Sequence, residues 1–556
     1  MKNKIIIYQI FTRLFGNRNT SRIENGTIAE NGCGKMNDFD AKTLKQIKSL
    51  GVTHVWYTGV IRHATQTDYT KYGIPRNHPA IVKGKAGSPY AITDYYDIDP
   101  DLAVDVDNRM AEFEQLLSRT HSAGMKVIID FVPNHVARQY HSICKPEGVK
   151  DLGEDDNCRN GFDPQNNFYY CPGCSFSPYF DLYKGERDPY LENPAKATGN
   201  DHFGPCPGVN EWYETIKLNY GVDYYAGKVG HFDPIPNTWQ KMLDILLFWA
   251  SKGIDGFRCD MAEMVPAAFW GWATAKVKEQ YPEIVFIGEV YNPAEYRNYI
   301  ANGFDLLYDK VGMYDTMRAV TCGFSNASSI SNAWQSTDDI RDNMLYFLEN
   351  HDEQRVASDF FAGDGNKGVP ALVASVLMQQ NPFMLYAGQE YGERGMDKEG
   401  FSGADGRTTI FDYWSVDTLC RSAWGTLTES ETSLYETYKK ILKIANKEKA
   451  VTEGLFFDLM YVNAHLDRQY VFLRKHENEL LLIAVNFEDR PVCIGVNIPA
   501  HAFDYLAISE KKYTSTDLLT SKRKTYELTK DGSLALSLES RGAAVITSEV
   551  GFRKRC

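Results

Sequence analysis

Four short polar segments, each at the end of an apolar run, constrain the fold of this chain more than any other feature. They are Asp130–His135, Gly256–Asp260, Phe286–Val290 and Phe347–Asp352. Parallel strands that are buried on both faces have continuous apolar sequences, so polar side chains are confined to their ends. The four segments therefore predict a parallel β-sheet with a polar site at the carboxyl ends of its strands.

Apolar runs of strand length alternate with segments of helical periodicity. The predicted strands are Ile5–Phe11, Val52–Tyr57, Lys126–Val132, Ile254–Cys259, Ile284–Val290, Phe304–Tyr308, Met344–Glu349 and Pro382–Tyr386. The clearest helices are predicted at Asp40–Leu50, Arg109–Gly124, Thr238–Lys252 and Ala267–Gln280. Eight successive β-then-α units predict an α/β fold, a (β/α)8 TIM barrel whose site lies at the carboxyl ends of the strands.

Two segments interrupt this alternation. The stretch between His135 and Asn237, about a hundred residues rich in Gly, Pro, Asn, Tyr and Cys, is too long for a simple loop and predicts an inserted subdomain after strand 3. After a helix around Glu436–Lys447, short strands separated by turn signals predict a C-terminal antiparallel β-sandwich. These strands are Tyr470–Arg474, Leu480–Asn486, Val492–Ile498, Leu534–Leu538 and Ala543–Ser548. We assign residues 1–135 and 236–450 to the barrel, 136–235 to the inserted subdomain and 451–556 to the β-sandwich.

Three carboxylates stand at the predicted strand ends: Asp260, Glu289 and Asp352. Arginine and histidine accompany them, and the chain contains 34 tyrosines, most of which we expect in the core and its rim. Paired carboxylates cleave glycosidic bonds, and aromatic rings offer apolar faces on which sugar rings stack. The combination suits glycosidic bond cleavage.

The four segments, in this order and on these strands, resemble those of glycoside hydrolase family 13, the α-amylase family, and the resemblance covers the whole chain. It implies that Asp260 is the catalytic nucleophile, Glu289 the general acid/base and Asp352 the transition-state stabiliser. It also implies that the substrate is bound by Tyr90, His135, Arg258 and His351. Tyr90 lies in Ser88–Asp94, which resembles the segment whose tyrosine stacks on the sugar, although nearby Tyr95 is an alternative.

Elementary chemistry agrees with these roles. Arg258 precedes Asp260 by two residues, so it lies on the same face of the strand and favours the ionised carboxylate. Glu289 has to hold a proton at working pH, and the negative charges of Asp260 and Asp352 would help it to do so. Asp352 would bind sugar hydroxyls most tightly as the ring flattens toward an oxocarbenium ion.

The resemblance implies a retaining α-glucan hydrolase that cleaves α-1,4 bonds in maltooligosaccharides or starch-derived dextrins by double displacement. Lys217–Asn219 is similar to a segment of neopullulanases and cyclomaltodextrinases, whereas those enzymes have a glutamate one position later than Glu263. Two alternatives for the subgroup therefore remain: a neopullulanase-like member and an α-amylase-like member. A transglycosylase or glucan isomerase is the alternative activity. A non-catalytic carbohydrate-binding relative is disfavoured, because the chain keeps all three acids.

We expect no cofactor to be required for the chemistry. Asn134 matches a position that binds calcium in many family members, so calcium is possible. Arg355 lies near the place of an arginine in chloride-dependent members, but we expect it to form an ion pair with a barrel acid instead. Cys171 and Cys174 have the spacing of zinc ligands or of a redox pair; reduced thiols, a local disulfide and a structural zinc site with two further ligands are the three alternatives.

The formal net charge of −13 argues against nucleic acid or an anionic membrane as a partner. No apolar stretch approaches the roughly 20 residues of a membrane span. The amino terminus has a basic start, but its apolar run is short and lacks a small-residue cleavage site, so we interpret it as the first strand. We therefore expect a cytoplasmic protein, or a secreted or periplasmic one if a signal peptide is removed before residue 1.

Overall fold

Eight parallel strands close into a barrel in the computed structural model, which describes residues 4–549. They are β1 (Ile6–Phe11), β2 (His54–Thr58), β3 (Lys126–Phe131), β4 (Gly256–Cys259), β5 (Val285–Gly288), β6 (Leu306–Tyr308), β7 (Met344–Phe347) and β8 (Phe383–Tyr386). Each pairs with its neighbour in sequence, and β1 pairs with β8. The predicted TIM barrel is confirmed. Strands β5 and β7 end two residues earlier than the predicted Val290 and Glu349, because those residues belong to the loops that turn away from the ladder.

Helices follow the strands around the outside. They are α1 (Ala41–Ser49), α2 (Arg109–Ser122), α3 (Asn237–Ser251), α4 (Ala267–Gln280), α5 (Tyr296–Ala301), α6 (Asp315–Cys322), α7 (Ser329–Ser336), α8 (Val369–Leu377), α9 (Asp417–Trp424) and α10 (Glu429–Lys447). The first four match the predicted helices to within two residues. Helix α8 escapes periodicity arguments because its residues from Pro370 to Leu377 are all buried, so it has no polar stripe.

Side chains alternate between two apolar layers along the barrel strands. On β2, Trp56 points into a compact cluster with Ile7, Ile128 and Met384 inside the barrel. Its neighbours Val55 and Tyr57 belong to the larger core between the strands and the helices. This period of two is the ordinary consequence of pleated backbone. The buried polar residues Gln9 and Arg258 lie in the carboxyl-terminal halves of their strands.

The inserted segment lies between β3 and α3 and contains only short two-stranded pairs. One of them joins His135–Ala137 to Thr215–Lys217, with His135 opposite Lys217. The others join Tyr170–Cys171 to Ala195–Lys196 and Val222–Asp223 to Val229–Gly230. The first pair attaches the far end of the insertion directly to the barrel mouth.

The C-terminal strands form a six-stranded antiparallel sheet and a separate antiparallel pair. They are β9 (Leu455–Asp458), β10 (Gln469–His476), β11 (Glu479–Asn486), β12 (Val492–Ile498), β13 (Lys511–Asp517), β14 (Arg523–Leu528), β15 (Gly532–Leu538) and β16 (Ala543–Glu549). The sheet order is β9-β10-β11-β16-β13-β14, and β12 pairs with β15. The sequence missed β9, which has no fully buried residue, and the hairpin β13–β14, which is largely exposed and polar.

One buried arginine joins this sheet to the barrel. Arg474 of β10 donates to Met378 O at the end of α8 (2.8 Å) and to Ala450 O (2.8 Å) and Val451 O (2.7 Å).

Within residues 4–549, no helix is both long enough and apolar enough to cross a membrane.

Candidate active site

A cleft of about 260 Å³ opens at the carboxyl ends of the barrel strands. Five of the residues singled out in the sequence line it: Tyr90, His135, Asp260, Glu289 and Asp352. Arg258 and His351 lie beneath them, 1% and 2% exposed. The fold therefore brings all seven predicted residues to one place, although they come from four different strand ends and the loop after β2.

Arg258 is the hub of the site. Its Nη1 donates to Asp260 Oδ1 at 2.7 Å, and its Nη2 lies 2.7 Å from Glu289 Oε2. Nη1 also lies 3.7 Å from Asp130 Oδ1, and Nε donates to the Tyr308 hydroxyl at 3.2 Å. One buried guanidinium thus holds two candidate catalytic carboxylates side by side, and it compensates part of the cost of burying them.

Both oxygens of Glu289 accept hydrogen bonds. The backbone N–H of Met261 donates to Oε2 at 2.8 Å, and the Tyr291 hydroxyl donates to Oε1. Met261 has a left-handed backbone (φ 43°, ψ 44°), which is strained for a residue with a side chain and turns its N–H toward the carboxylate. Backbone strain at this point serves to place Glu289.

His351 connects Asp352 to the rest of the cleft. Its Nε2 lies 3.0 Å from Asp352 Oδ2 and 2.5 Å from the Tyr90 hydroxyl, while Nδ1 lies 2.7 Å from Gln9 Nε2. Burial, and then the charge of Arg258, hold the pKa of His351 well below its usual value. The neutral ring therefore accepts from Gln9 at Nδ1 and offers its single N–H at Nε2.

The tyrosine on the cleft is Tyr90. Its hydroxyl donates to Asp130 Oδ1 at 3.4 Å, and its ring lies 5.3 Å from the His351 ring between centroids. Tyr95, the alternative considered from the sequence, is fully buried and donates to the backbone oxygens of Val132 and His135. Of these two tyrosines, Tyr90 is the one that lines the cleft.

The comparisons with known proteins decide the family. The model described as "Alpha amylase, catalytic domain" matches residues 9–454, which is most of the chain. The chain belongs to the α-amylase family. The resemblance seen in the four strand-end segments is confirmed.

Two curated relatives and one solved structure show the range of this similarity. Alpha-amylase MalA of Haloarcula japonica is 24% identical over 508 residues, 88% of this chain and 56% of that protein. Neopullulanase 2 of Thermoactinomyces vulgaris is 22% identical over 522 residues, 89% of this chain and 71% of that protein. The crystal structure of the α-amylase GTA of Geobacillus thermoleovorans, complexed with acarbose, has a TM-score of 0.65 at 19% identity and covers 100% of both chains. This last likeness shows a shared fold.

Burial and neighbouring carboxylates raise the pKa values of Asp260 and Asp352. Burial, followed by the negative charges of Glu289 and Asp352, raises the pKa of Asp260, and Arg258 opposes that rise. Burial and Glu289 likewise raise the pKa of Asp352 to about 7. Asp130 below them reaches about 6, mainly through burial. Ionising both Asp260 and Asp352 therefore requires a higher pH than isolated aspartates need.

Glu353 offers a test of this electrostatic coupling. Its charge contributes to the raised pKa of Asp352, and Lys310 lies 3.5 Å from its carboxylate. Glu353→Gln removes a negative charge, so the pKa of Asp352 falls and the acidic limb of kcat/KM moves to lower pH, by roughly half a unit. A pH profile measures this, with Glu353→Asp as the charge-preserving control. An unmoved limb would show that the two carboxylates are not coupled.

Several residues that complete the site were missed in the sequence. Met261 acts through its backbone, and Trp212 comes from the insertion and lies 5.3 Å from the His135 ring between centroids. Glu263 Oε2 accepts from the backbone N–H groups of Tyr291 and Asn292, each at 3.0 Å, and so fixes the loop that presents Tyr291. Only Tyr291 could have been noticed in the sequence, because it is an aromatic residue two positions after the candidate acid Glu289.

The position of Asn134 does not fit calcium. Its Oδ1 accepts from Lys217 Nζ at 2.6 Å, and Lys217 also pairs with Asp201 Oδ1 at 2.7 Å. Lys217 is 2% exposed and lies between the barrel and the insertion. Its ammonium occupies the place beside Asn134 where a cation would bind, and a divalent ion cannot share that place.

The structure also shows the surroundings of Arg355 and of the cysteines. Arg355 pairs with Glu349 at 3.0 Å, which confirms the predicted ion pair with a barrel acid.

The ten cysteines within residues 4–549 are free thiols, and Cys171 and Cys174 are joined by a tight turn. In the same part of the chain, the one compact set of possible metal ligands is Asp94, Asp97 and Cys144. Arginines already occupy it, since Arg62 and Arg109 pair with these aspartates.

Proposed function

We propose that this protein is a retaining α-glucan hydrolase that cleaves α-1,4-glucosidic bonds in maltooligosaccharides or starch-derived dextrins. Membership of the α-amylase family supports action on α-glucans by hydrolysis or transfer. The observation that carries the mechanism is the contact of Arg258 with both Asp260 and Glu289, each at 2.7 Å. Double displacement needs two neighbouring carboxyl groups, about 5–5.5 Å apart in retaining enzymes, and the shared guanidinium of Arg258 keeps Asp260 and Glu289 next to each other.

In the first step, Asp260 attacks the anomeric carbon. Arg258 occupies Oδ1 of this carboxylate, so Oδ2 is the oxygen free to form the glycosyl ester. Glu289 gives its proton to the departing glycosidic oxygen. The Tyr291 hydroxyl can rotate away from Glu289, whereas the backbone N–H of Met261 cannot, so Oε1 is the oxygen that faces the leaving group.

In the second step, Glu289 takes a proton from water, and the resulting hydroxide displaces Asp260 from the anomeric carbon. The products are the released sugar with retained configuration and the free enzyme. The side chain of Asp352 is 38% exposed, the open carboxylate needed for contact with sugar hydroxyls. Tyr90 supplies the stacking surface, and neutral His135 and His351 supply hydrogen bonds.

Transglycosylation is the second candidate. Trp212 and Tyr291 provide aromatic surfaces on the cleft where an acceptor sugar can stack in place of water. The two activities share the glycosyl–Asp260 intermediate and differ only in what intercepts it. A non-catalytic carbohydrate-binding role is not favoured, because all three acids reach the cleft.

Product analysis tests the proposal. The enzyme is given maltoheptaose, pullulan and β-cyclodextrin in parallel, with Asp260→Asn as the blank. Cleavage of maltoheptaose alone supports an α-amylase-like member. Cleavage of pullulan or cyclodextrin as well supports the neopullulanase-like alternative, for which Lys217–Asn219 is the sequence argument. Products longer than the substrate indicate transfer, and no turnover of any of the three would contradict the proposal.

We further propose that no calcium binds at Asn134 and that Lys217 takes its structural role. Incubation with EDTA should leave the melting temperature and the activity unchanged. Lys217→Ala should lower the free energy of unfolding by about 1–3 kcal/mol, because Asn134 and Asp201 lose a buried partner. Thermal unfolding with and without EDTA measures both effects, with the exposed Lys150→Ala as the control. A fall in melting temperature when EDTA is added to the wild type would contradict this proposal.

We also propose a cytoplasmic location, which the ten free thiols support because reducing compartments keep cysteines unpaired. The net charge of −13 supports a neutral glucan rather than nucleic acid or an anionic membrane as partner.

A further inference from the structure

A groove of about 450 Å³ lies at the seam between the barrel and the C-terminal sheet, and it shares no residue with the cleft. One wall is α7 and the turn before it, and the other is the segment Asp458–Asp467 after β9. We call it the seam groove. Its volume falls within the range of roughly 300–1,000 Å³ typical of small-molecule sites.

The α7 wall carries neutral hydrogen-bonding groups. Asn326, Asn332 and Gln335 are exposed, and within residues 4–549 their side chains have no hydrogen-bond partner. Among residues 4–549, no lysine, arginine or histidine lines the groove, so an anionic ligand is not favoured. Amides that can both donate and accept suit a neutral ligand rich in hydroxyl groups.

Two carboxylates line the groove, those of Asp458 and the exposed Asp467, and Asp458 is already occupied. Asp458 Oδ2 accepts from the Ser331 hydroxyl (2.5 Å), Trp334 Nε1 (2.9 Å) and the Tyr470 hydroxyl (2.9 Å). Asp458 therefore supports the walls and cannot act as a nucleophile. A sugar bound in the seam groove would be held without being cleaved, because double displacement needs two free carboxyl groups.

Aromatic rings continue the groove onto the surface. Tyr461 lines the seam groove and is 58% exposed, and Tyr505 nearby is 55% exposed. Phe457 and His501 lie between them, with centroid distances of 5.6 Å from Phe457 to His501 and 5.9 Å from Phe457 to Tyr505. A hydrogen bond between the Tyr461 hydroxyl and His501 fixes the Tyr461 ring. A fixed, exposed aromatic patch beside polar groups marks a binding surface.

We propose that the seam groove is a second, non-catalytic glucan-binding site, in which Tyr461 is the stacking surface and the amides of α7 bind sugar hydroxyls. The choice of α-glucan as the ligand rests on the proposed function; the chemistry of a neutral polyhydroxyl ligand rests on the groove itself. The site would tether the enzyme to a polymeric substrate and raise the local concentration of cleavable bonds at the cleft.

Electrophoresis through gels containing soluble starch tests this, using the full chain. Wild type should be retarded, and Tyr461→Ala and Gln335→Ala, on opposite walls, should each weaken retardation at least about fivefold, a loss of about 1 kcal/mol. Trp424→Ala removes an aromatic residue that is 51% exposed elsewhere and should change nothing. Melting temperatures confirm that the variants are folded. For both groove variants, kcat/KM on maltoheptaose should stay within twofold of wild type, because the cleft is untouched.

Equal retardation of wild type and both groove variants would overturn the proposal. So would a change from dimer to monomer in Tyr461→Ala with retardation unchanged, since the patch would then be an interface between copies. Failure of the proposed function gives a different result, namely no turnover of maltoheptaose by the wild type whatever its retardation.

Discussion

Asp260→Asn is expected to reduce kcat on maltoheptaose by roughly 10⁴-fold or more, a loss of the size seen when covalent nucleophiles are removed from other enzymes. The amide cannot form a glycosyl ester. Its oxygen can still accept from Arg258 Nη1, which lies 2.7 Å from the native Oδ1, so the cleft should keep its shape. Binding of maltoheptaose, measured by calorimetry, should therefore change little while turnover is lost.

The matched control for this variant is Asp309→Asn. Asp309 is also a buried barrel acid, but it accepts from Met313 N and does not line the cleft. Its replacement should leave kcat within a few-fold of wild type. If Asp260→Asn retained more than a tenth of the wild-type kcat, Asp260 could not be the nucleophile.

Arg258→Ala is expected to lower both stability and activity. The change leaves Asp260 and Glu289 buried without their shared cation, and breaking such a pair costs about 3–5 kcal/mol of unfolding free energy. Arg258 also opposes the rise in the pKa of Asp260. Without it, that pKa rises further, so the acidic limb of any residual activity moves to higher pH.

Denaturant unfolding at two pH values measures this prediction. The loss should be larger near pH 7.5 than near pH 5, because the cost comes from the ionised acids and falls as they take up protons. Arg258→Lys keeps a positive charge but not two nitrogens in a planar fork, so it should recover part of the stability and little of the activity. An Arg258→Ala protein as stable as wild type at both pH values would contradict the role of Arg258 as the hub.

The candidate catalytic acids could be found in the sequence because of where they stand. Asp260, Glu289 and Asp352 each follow an apolar run, and a strand buried on both faces admits such groups only at its tip. Apolar runs identified the eight strands, and strong helical periodicity identified the first four helices. These patterns missed the fully buried α8 and the polar hairpin β13–β14, whose sequences lack the expected alternation.

The contacts that complete the site could not be found in this way. Tyr90 and His351 are 261 residues apart in sequence, and Gln9 and His351 are 342 apart. The N–H of Met261 has no side-chain signal at all. Lys217 was noticed only as part of a subgroup motif, although in the structure its ammonium donates to Asn134 Oδ1.

The sequence by itself therefore determined the barrel, the order of its strands and the acids at their tips, because hydrophobic periodicity records locally which face of each element is buried. Only the tertiary structure decided which groups come together: Arg258 between two acids, Lys217 between Asn134 and Asp201, and Tyr461 in one groove with the amides of α7. Those contacts depend on closing the barrel, on an insertion without periodicity and on the docking of the C-terminal sheet. Each joins residues far apart in the chain, so no local pattern encodes them.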